Sequence, residues 1–426
     1  MLEYPKIEDK IEITPFETSS ISQVYLLKTP DGRTFQISSK LYQLLLLLDG
    51  EKSLEEIASE FSSQNSKEYS PDDISEIIEK FLIPQDLLSL NQVDQKTQSK
   101  TEQKPSTSLS LRISLFSPKA LHPLTDILSK LFYPPVFITL ATIAFVILVV
   151  ILPSFQVFDF TKTIQTGYVW IIIYALVTVT VIFHELGHAS GCRYYGCLHG
   201  YIGFGLYLMF PVFYVDINDA WRLSRKQRAM IDIGGVYFQF LSTIILVSGY
   251  IITKSPIFLI TMLLTYLMIF TNLNPLFKYD GYWLLSDLAG IPNLRKRATE
   301  LLKQLFKKEI RTTYQLSQIP PWAKTILFSY TVLSNVFFLY FGYRLTKFLA
   351  GLLKVYPTIL TNSVFQIRQS IQLHDFNSFS NNVFQIVFPV LVLFSVILMG
   401  RKLLYPAFKY VKSTFRHGSF YKRQAG

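Results

Sequence analysis

Apolar runs long enough to cross a lipid bilayer constrain this chain more than any other feature of its sequence. Residues 136–152, 168–183, 234–252, 257–270, 326–343 and 383–399 each approach the roughly 20 apolar residues that span a hydrocarbon core at about 1.5 Å per residue. A chain of 426 residues that is 50% hydrophobic and 17% charged is poorly suited to a single water-soluble domain. The expectation is a polytopic all-α membrane protein with about six transmembrane helices, the lipid bilayer being its first partner. The first 130 residues hold no such run and no basic start followed by a short apolar stretch, so a cytosolic amino terminus without a cleaved signal peptide is expected.

Charge sharpens this reading. Residues 1–90 carry 8 Lys+Arg against 17 Asp+Glu, whereas the chain as a whole is at +11. The positive charge therefore sits between and after the apolar runs, where lipid headgroups and the orientation rule account for it, and nucleic-acid binding is set aside. With the amino terminus inside, loops 193–230, 275–324 and 401–426 hold 21 Lys+Arg and the outer segments 6. That bias puts both termini in the cytosol of a multi-pass protein of the cell's inner (cytoplasmic) membrane. The two cysteines, Cys192 and Cys197, form no disulfide framework.

The acidic front reads as a small α+β unit. Residues 23–27 and 34–37 are β-prone and flank Thr29-Pro30-Asp31-Gly32, a hairpin turn. Three short helices follow: residues 41–48, one opened by the capping box Ser53-x-x-Glu56, and one capped by Ser70 with Pro71 in its first turn. A hairpin with three helices suggests a winged-helix-like cytosolic domain, and its net charge would repel phosphates, so a peptide or protein partner is expected. Residues 91–110 are polar and read as a flexible linker, and 111–132 as a segment along the inner membrane surface. Residues 10–90, through Val24-Tyr25-Leu26-Leu27 and Phe35-Gln36-Ile37-Ser38, resemble the PqqD-like modules. That resemblance implies recognition of a leader peptide by strand addition at the hairpin edge.

His184-Glu185-Leu186-Gly187-His188 closes the second run. Residues four apart share a helix face, so both imidazoles can reach one ion while Glu185 stands beside the water it would hold. Catalytic zinc takes three protein ligands and a water, so a third ligand is required from elsewhere. His122, His199, His374 and His417 are candidates by type, but none belongs to a polar group interrupting a run. Asn272-Leu273-Asn274-Pro275 through Asp280-Gly281 does, ending the fourth run at the same cytosolic depth.

These two motifs resemble those of the site-2 protease family of intramembrane zinc metalloproteases, over roughly residues 165–290, and in particular its peptide zinc metalloprotease branch. The resemblance implies that His184, His188 and Asp280 bind zinc, that Glu185 is the general base, and that Asn272 contacts the substrate backbone. Here Phe277-Lys278-Tyr279-Asp280-Gly281-Tyr282-Trp283 replaces a common form with a second proline and Leu-Asp-Gly-Gly, a departure that bears on Asn272 more than on Asp280.

Between the motifs, residues 201–216 are a poor helix, expected to form either a small membrane-associated β-hairpin whose edge takes an extended substrate or an aromatic anchor. Asp216 and Asp219 are expected as loop charges or as groups behind the ligands. The expected organisation is thus a recognition domain over 1–90, a linker and interfacial segment over 91–132, and a zinc metalloendopeptidase domain over 133–426. Its substrate would be a membrane-associated peptide or protein. The rival enzyme class, a di-iron desaturase, needs more histidines than the 6 present. The rival non-enzyme reading is a peptide-binding or export accessory that keeps the fold.

Overall fold

The computed structural model describes all residues except 1–3, 9, 31, 66, 89–108, 152, 154–166, 208–209, 307–318 and 422–426. The expected linker falls almost wholly among the latter. In the front part, β1 (Glu12–Phe16), β2 (Val24–Lys28) and β3 (Thr34–Ser38) form an antiparallel sheet in that order. Helices α1 (Ser39–Leu47), α2 (Leu54–Gln64) and α3 (Pro71–Ile77) follow. The capping boxes at Ser53/Glu56 and Ser70/Asp73 both close, each satisfying two backbone donors that a helix start leaves orphaned. Leu27, Ile37, Leu44, Ile57, Ile74 and Leu82 are the heart of one core beneath the sheet. Strand β1 was not expected from the sequence; its Ile-Thr-Pro-Phe run is short and carries a proline on the sheet's outer strand, where proline is tolerated.

Residues 109–116, expected in the linker and interfacial segment, instead form β4 (Leu109–Phe116), followed by α4 (Pro118–Ser129), capped by Ser117. β4 joins β5 (Ile202–Tyr207) and β6 (Phe210–Val215) in a second antiparallel sheet, so the expected hairpin has a third strand along its β5 side.

Among the described residues, five helices are long and apolar enough to cross a membrane. They lie in α5 (Pro134–Ile151), α6 (Gly167–Tyr194), α7 (Arg225–Thr253), α11 (Pro321–Gln372) and α12 (Phe376–Tyr421). The sixth expected crossing, α8 (Pro256–Asn272), has 17 residues and falls short of that criterion. α9 (Asp280–Ala289) and α10 (Leu294–Phe306) connect it to α11. The architecture is that of a polytopic helical protein, with α6, α7 and α8 packed together at its centre.

The last two helices depart from expectation. α11 runs 52 residues, about 78 Å at 1.5 Å per residue, through the segment expected to be an outer loop. It pairs with α12 through Tyr356 Oη, which donates to the Ile386 carbonyl at 3.2 Å, and Ser363 Oγ, which donates to Gln385 Oε1 at 3.3 Å. The apolar run 383–399 therefore lies beside the second half of α11 and not beside residues 326–343. Apolar length alone does not set where one helix lies along another.

The front domain is seated on the membrane-helix part. Phe16, 2% exposed, is buried not in the front core but against Trp221, at 5.6 Å between rings, and under the Arg228 guanidinium. Glu17 accepts from the Arg225 backbone N–H and side chain at 3.1 and 3.2 Å, Ser19 N and Oγ donate to the Gly290 carbonyl, and Lys28 pairs with Asp219 at 3.4 Å. The sequence pointed to an acidic cytosolic unit joined to the helices through a polar linker. That same charge meets Arg225 here.

Acid is expected to loosen this seat. Burial opposes ionisation of Glu17, but the Arg225 hydrogen bonds and the charges of Arg225 and Arg228 hold its carboxyl below the usual range. Burial also opposes ionisation of Asp219, but the Leu198 N–H and Arg222 of its own loop hold it low, and Lys28 alone adds to this from the front domain, so most of that shift does not depend on docking. A carboxyl depressed by docking contributes fully above its undocked value, roughly 4, and the contribution is lost as pH falls through the docked value. Cross-linking between a cysteine placed at Ser20 and one near Gly290 should therefore fall below about pH 4. Glu17→Gln should flatten that dependence; a wild-type profile in the variant would remove Glu17 from the seat.

Candidate metal centre

α6 carries His184 and His188 one turn apart, and both are buried, at 6% and 5% exposure. Their Nε2 atoms face each other at 3.1 Å with the rings nearly perpendicular. Asp280, the first residue of α9, completes the group: Oδ2 lies 3.0 Å from His184 Nε2 and Oδ1 lies 3.5 Å from His188 Nε2. One ligand atom from each of the three lies within 4.8 Å of the others.

The donor chemistry fits a divalent cation. His188 Nδ1 is 2.8 Å from the Ile231 carbonyl, which only accepts, so Nδ1 carries the hydrogen and neutral His188 turns the Nε2 lone pair inward. A lone pair facing a carboxylate and a second imidazole is a set of groups that one cation can bridge, and a carbonyl behind a ligating imidazole is the usual support for it. Two imidazole nitrogens and a carboxylate oxygen suit zinc, and three ligands leave a position open.

The backbone is shaped to allow this approach. A Cβ on Gly235 of α7 would lie 2.5 Å from His184 Cε1 and Nε2 and from His188 Nε2, so the bare glycine is the floor under both rings. One turn away on α6, a Cβ on Gly187 would lie 2.3 Å from the Gly234 carbonyl, the point where α6 and α7 touch backbone to backbone. Gly281 likewise lets α9 start against the Leu273 carbonyl, which a Cβ would meet at 2.2 Å.

Glu185, 8% exposed, lies beside Val215 of β6, the strand packed against α6. Gly200 N donates to the Asp216 carbonyl, so residues 216 and 214 turn toward β5 while Val215 and Phe213 turn outward. The outer edge of β6 thus runs past Glu185.

Asn272 is not brought onto the two imidazoles: its amide donates to Gln239 Oε1 at 3.3 Å, one turn further along α7 from Gly235. A groove of about 420 Å³ opens beside it, lined by Val177, Leu264, Leu267, Met268, Asn272 and Tyr279. Asp216 caps the Asn218 N–H, and Asp219 accepts from Leu198 N and Arg222, so both serve the loop. His199 packs with Thr125 and His122, away from the centre.

Sequence reasoning missed Gly234, Gly235, Arg228, Asp232 and Asp287. The third run was begun at Gly234, but α7 starts at Arg225 behind the capping box Ser224/Gln227. An arginine and an aspartate four residues apart, just ahead of a glycine pair, were the available signal.

The fold and this site together define a polytopic helical protein with a His-His-Asp centre, its two histidines buried, beside a glutamate. Within the protein record, the chain is 29% identical over 119 residues to a Bacillus subtilis (strain 168) protein called "Putative peptide zinc metalloprotease protein YydH". The match takes in 27% of this chain and 47% of that one, about half the length of the relative. No family model and no solved structure matches.

Proposed function

We propose that this chain is an intramembrane zinc metalloprotease of the site-2 type. It would hydrolyse a peptide bond of a membrane-associated peptide or protein near the cytosolic face of the cell's inner membrane. The observation that carries this reading is the convergence of His184, His188 and Asp280 with Glu185 next in sequence to the first ligand. The name of the partial relative supports it.

His184, His188 and Asp280 would hold zinc, which would supply Lewis acidity toward the scissile carbonyl and the attacking water. Glu185 takes the proton from the attacking water and returns it to the leaving amine. The outer edge of β6 offers Phe213 N–H and C=O to an extended peptide, which holds the backbone unwound beside Glu185. The groove at Asn272 then takes an apolar side chain of that peptide. The front domain, residues 1–90, serves as a PqqD-like recogniser of a leader segment, and the basic loops face the cytosol with it.

The test is cleavage of a membrane-associated peptide by the purified protein in vesicles. Cleavage should stop with a zinc chelator and return with added zinc. Zinc-loaded protein that binds such peptides and cuts none would establish the accessory reading in its place.

A further inference from the structure

Arg228 is 4% exposed, one turn into a helix that continues across the apolar centre of the molecule. Burying a guanidinium is costly unless its donors are matched, and here they are matched by three separate parts of the chain. Nε donates to Asp287 Oδ1 at 2.8 Å, Nη1 to the Leu223 carbonyl at 2.8 Å, and Nη2 to the Glu17 carbonyl of the front domain at 3.1 Å. The Phe16 ring covers the guanidinium, 4.7 Å from Cζ.

The partners of Arg228 lead to the metal centre along two routes of equal length. On α7, Gly235, the floor under both imidazoles, lies seven residues beyond Arg228. On α9, Asp280 lies seven residues before Asp287. Seven residues are nearly two helical turns, about 10.5 Å, and return to the same face. The two helices run in opposite directions, so the Arg228–Asp287 pair and the Gly235/Asp280 level are two fixed points of one helix pair. Between them lies the buried Asp232 of α7, and the Ile231 carbonyl holds His188. α9 is short, ten residues, and begins at the ligand itself, so its anchorage at Asp287 sets where Asp280 falls.

We propose that Arg228 is a positioning residue. It holds α9 so that Asp280 reaches His184 and His188, and the seated front domain completes its surroundings, so that docking of the front domain strengthens metal binding. This deepens the zinc reading above and rests on it. It implies that a partner which draws Phe16 and Glu17 away from Arg228 weakens the centre.

The experiment uses the full-length protein in detergent. Zinc alone is titrated against a chromophoric chelator, and Co²⁺ replaces zinc to give an absorption band that reports ligand geometry. Arg228→Gln should weaken zinc about 10–100-fold, the range seen when a group behind a metal ligand is lost, and should shift the Co²⁺ band. Arg228→Lys, which keeps the charge but not the fork, should recover part of the loss. Adding Asp287→Asn to Arg228→Gln should cost little more than either change alone, because they break one pair. Phe16→Ala, which alters no group near the metal, should weaken zinc by a smaller factor of about 3–10 and move the band the same way.

Wild-type affinity and band in Arg228→Gln, or losses that simply multiply in the double variant, would overturn the proposal. Should Arg228→Gln fail to fold, Phe16→Ala decides it: unchanged zinc affinity there separates the front domain from the centre and sinks the coupling. Wild-type protein that takes up no zinc overturns the zinc reading and this inference together. Zinc uptake without cleavage overturns the protease reading alone.

Discussion

Alanine at His184, His188 or Asp280 is expected to bring bound zinc well below one per chain, while Glu185→Gln keeps the metal and removes cleavage. The contrast follows from geometry. The first three side chains converge on one point at mutual distances of 3.0 to 3.5 Å, whereas Glu185 is not part of that group. Losing one of three ligands leaves two, too few to hold zinc against a chelator. Losing a general base costs about 10²–10⁴-fold in rate and leaves the ligands intact. Ligation also requires neutral imidazoles, so zinc should leave as the solution is acidified. Metal content by atomic absorption and cleavage in vesicles separate the two classes. Full zinc in the Asp280→Ala protein would dismiss Asp280 as a ligand and leave its 3.0 Å approach to His184 as an ion pair only.

The second large effect is expected from adding a single methyl group at either of two glycines, with different consequences. At Gly187 the added Cβ would meet the Gly234 carbonyl at 2.3 Å, and backbone cannot swing aside as a side chain can. α6 and α7 must move apart along their whole contact, so Gly187→Ala should lower stability by at least the 1–3 kcal/mol typical of overpacking, about that size or larger. At Gly235 the obstacle is the pair of rings, 2.5 Å away. His188 is tethered through Nδ1 to Ile231, so His184 is the ring with more room to yield. Gly235→Ala should therefore keep the helices and thermal transition nearly intact but weaken zinc about tenfold or more, on the scale of lost support around a metal. Thermal unfolding in detergent, run with chelator titration, distinguishes the two. A Gly235→Ala protein with wild-type zinc affinity would show that the rings do not rest on that face.

A good deal was legible in the residues themselves. Helical spacing put His184 and His188 on one face whatever else the chain did, because four residues on an α-helix come back to the same side. The capping serines at 53 and 70 set helix starts by hydrogen bonds within four residues. Apolar length marked the long helices, since a run of about 20 such residues has few other stable settings. All of these are local rules in which cause and effect lie within one or two turns of chain.

What the sequence left open depended on which distant segments meet. β4 finds its partner β5 some ninety residues later; its run Leu-Ser-Leu-Arg-Ile-Ser-Leu-Phe does alternate apolar and polar as a strand does, a signal passed over in reading the segment as linker and interfacial, but nothing local to it says which strand it joins. The front domain's acidic balance pointed to a peptide or protein partner, yet charge sums do not say where Glu17 and Phe16 fall relative to Arg225 and Arg228. Arg228 itself looked like one more basic residue at a membrane edge. Only the packing of α7 against α9 and β1 surrounds it with acceptors and makes it central. The sequence by itself determined the groups able to bind a metal, because their spacing is written into one helix. Tertiary structure alone decided what carries Asp280 to them, because that rests on glycine-thin helix contacts and a buried arginine joining residues 17, 223 and 287, which have no relation along the chain.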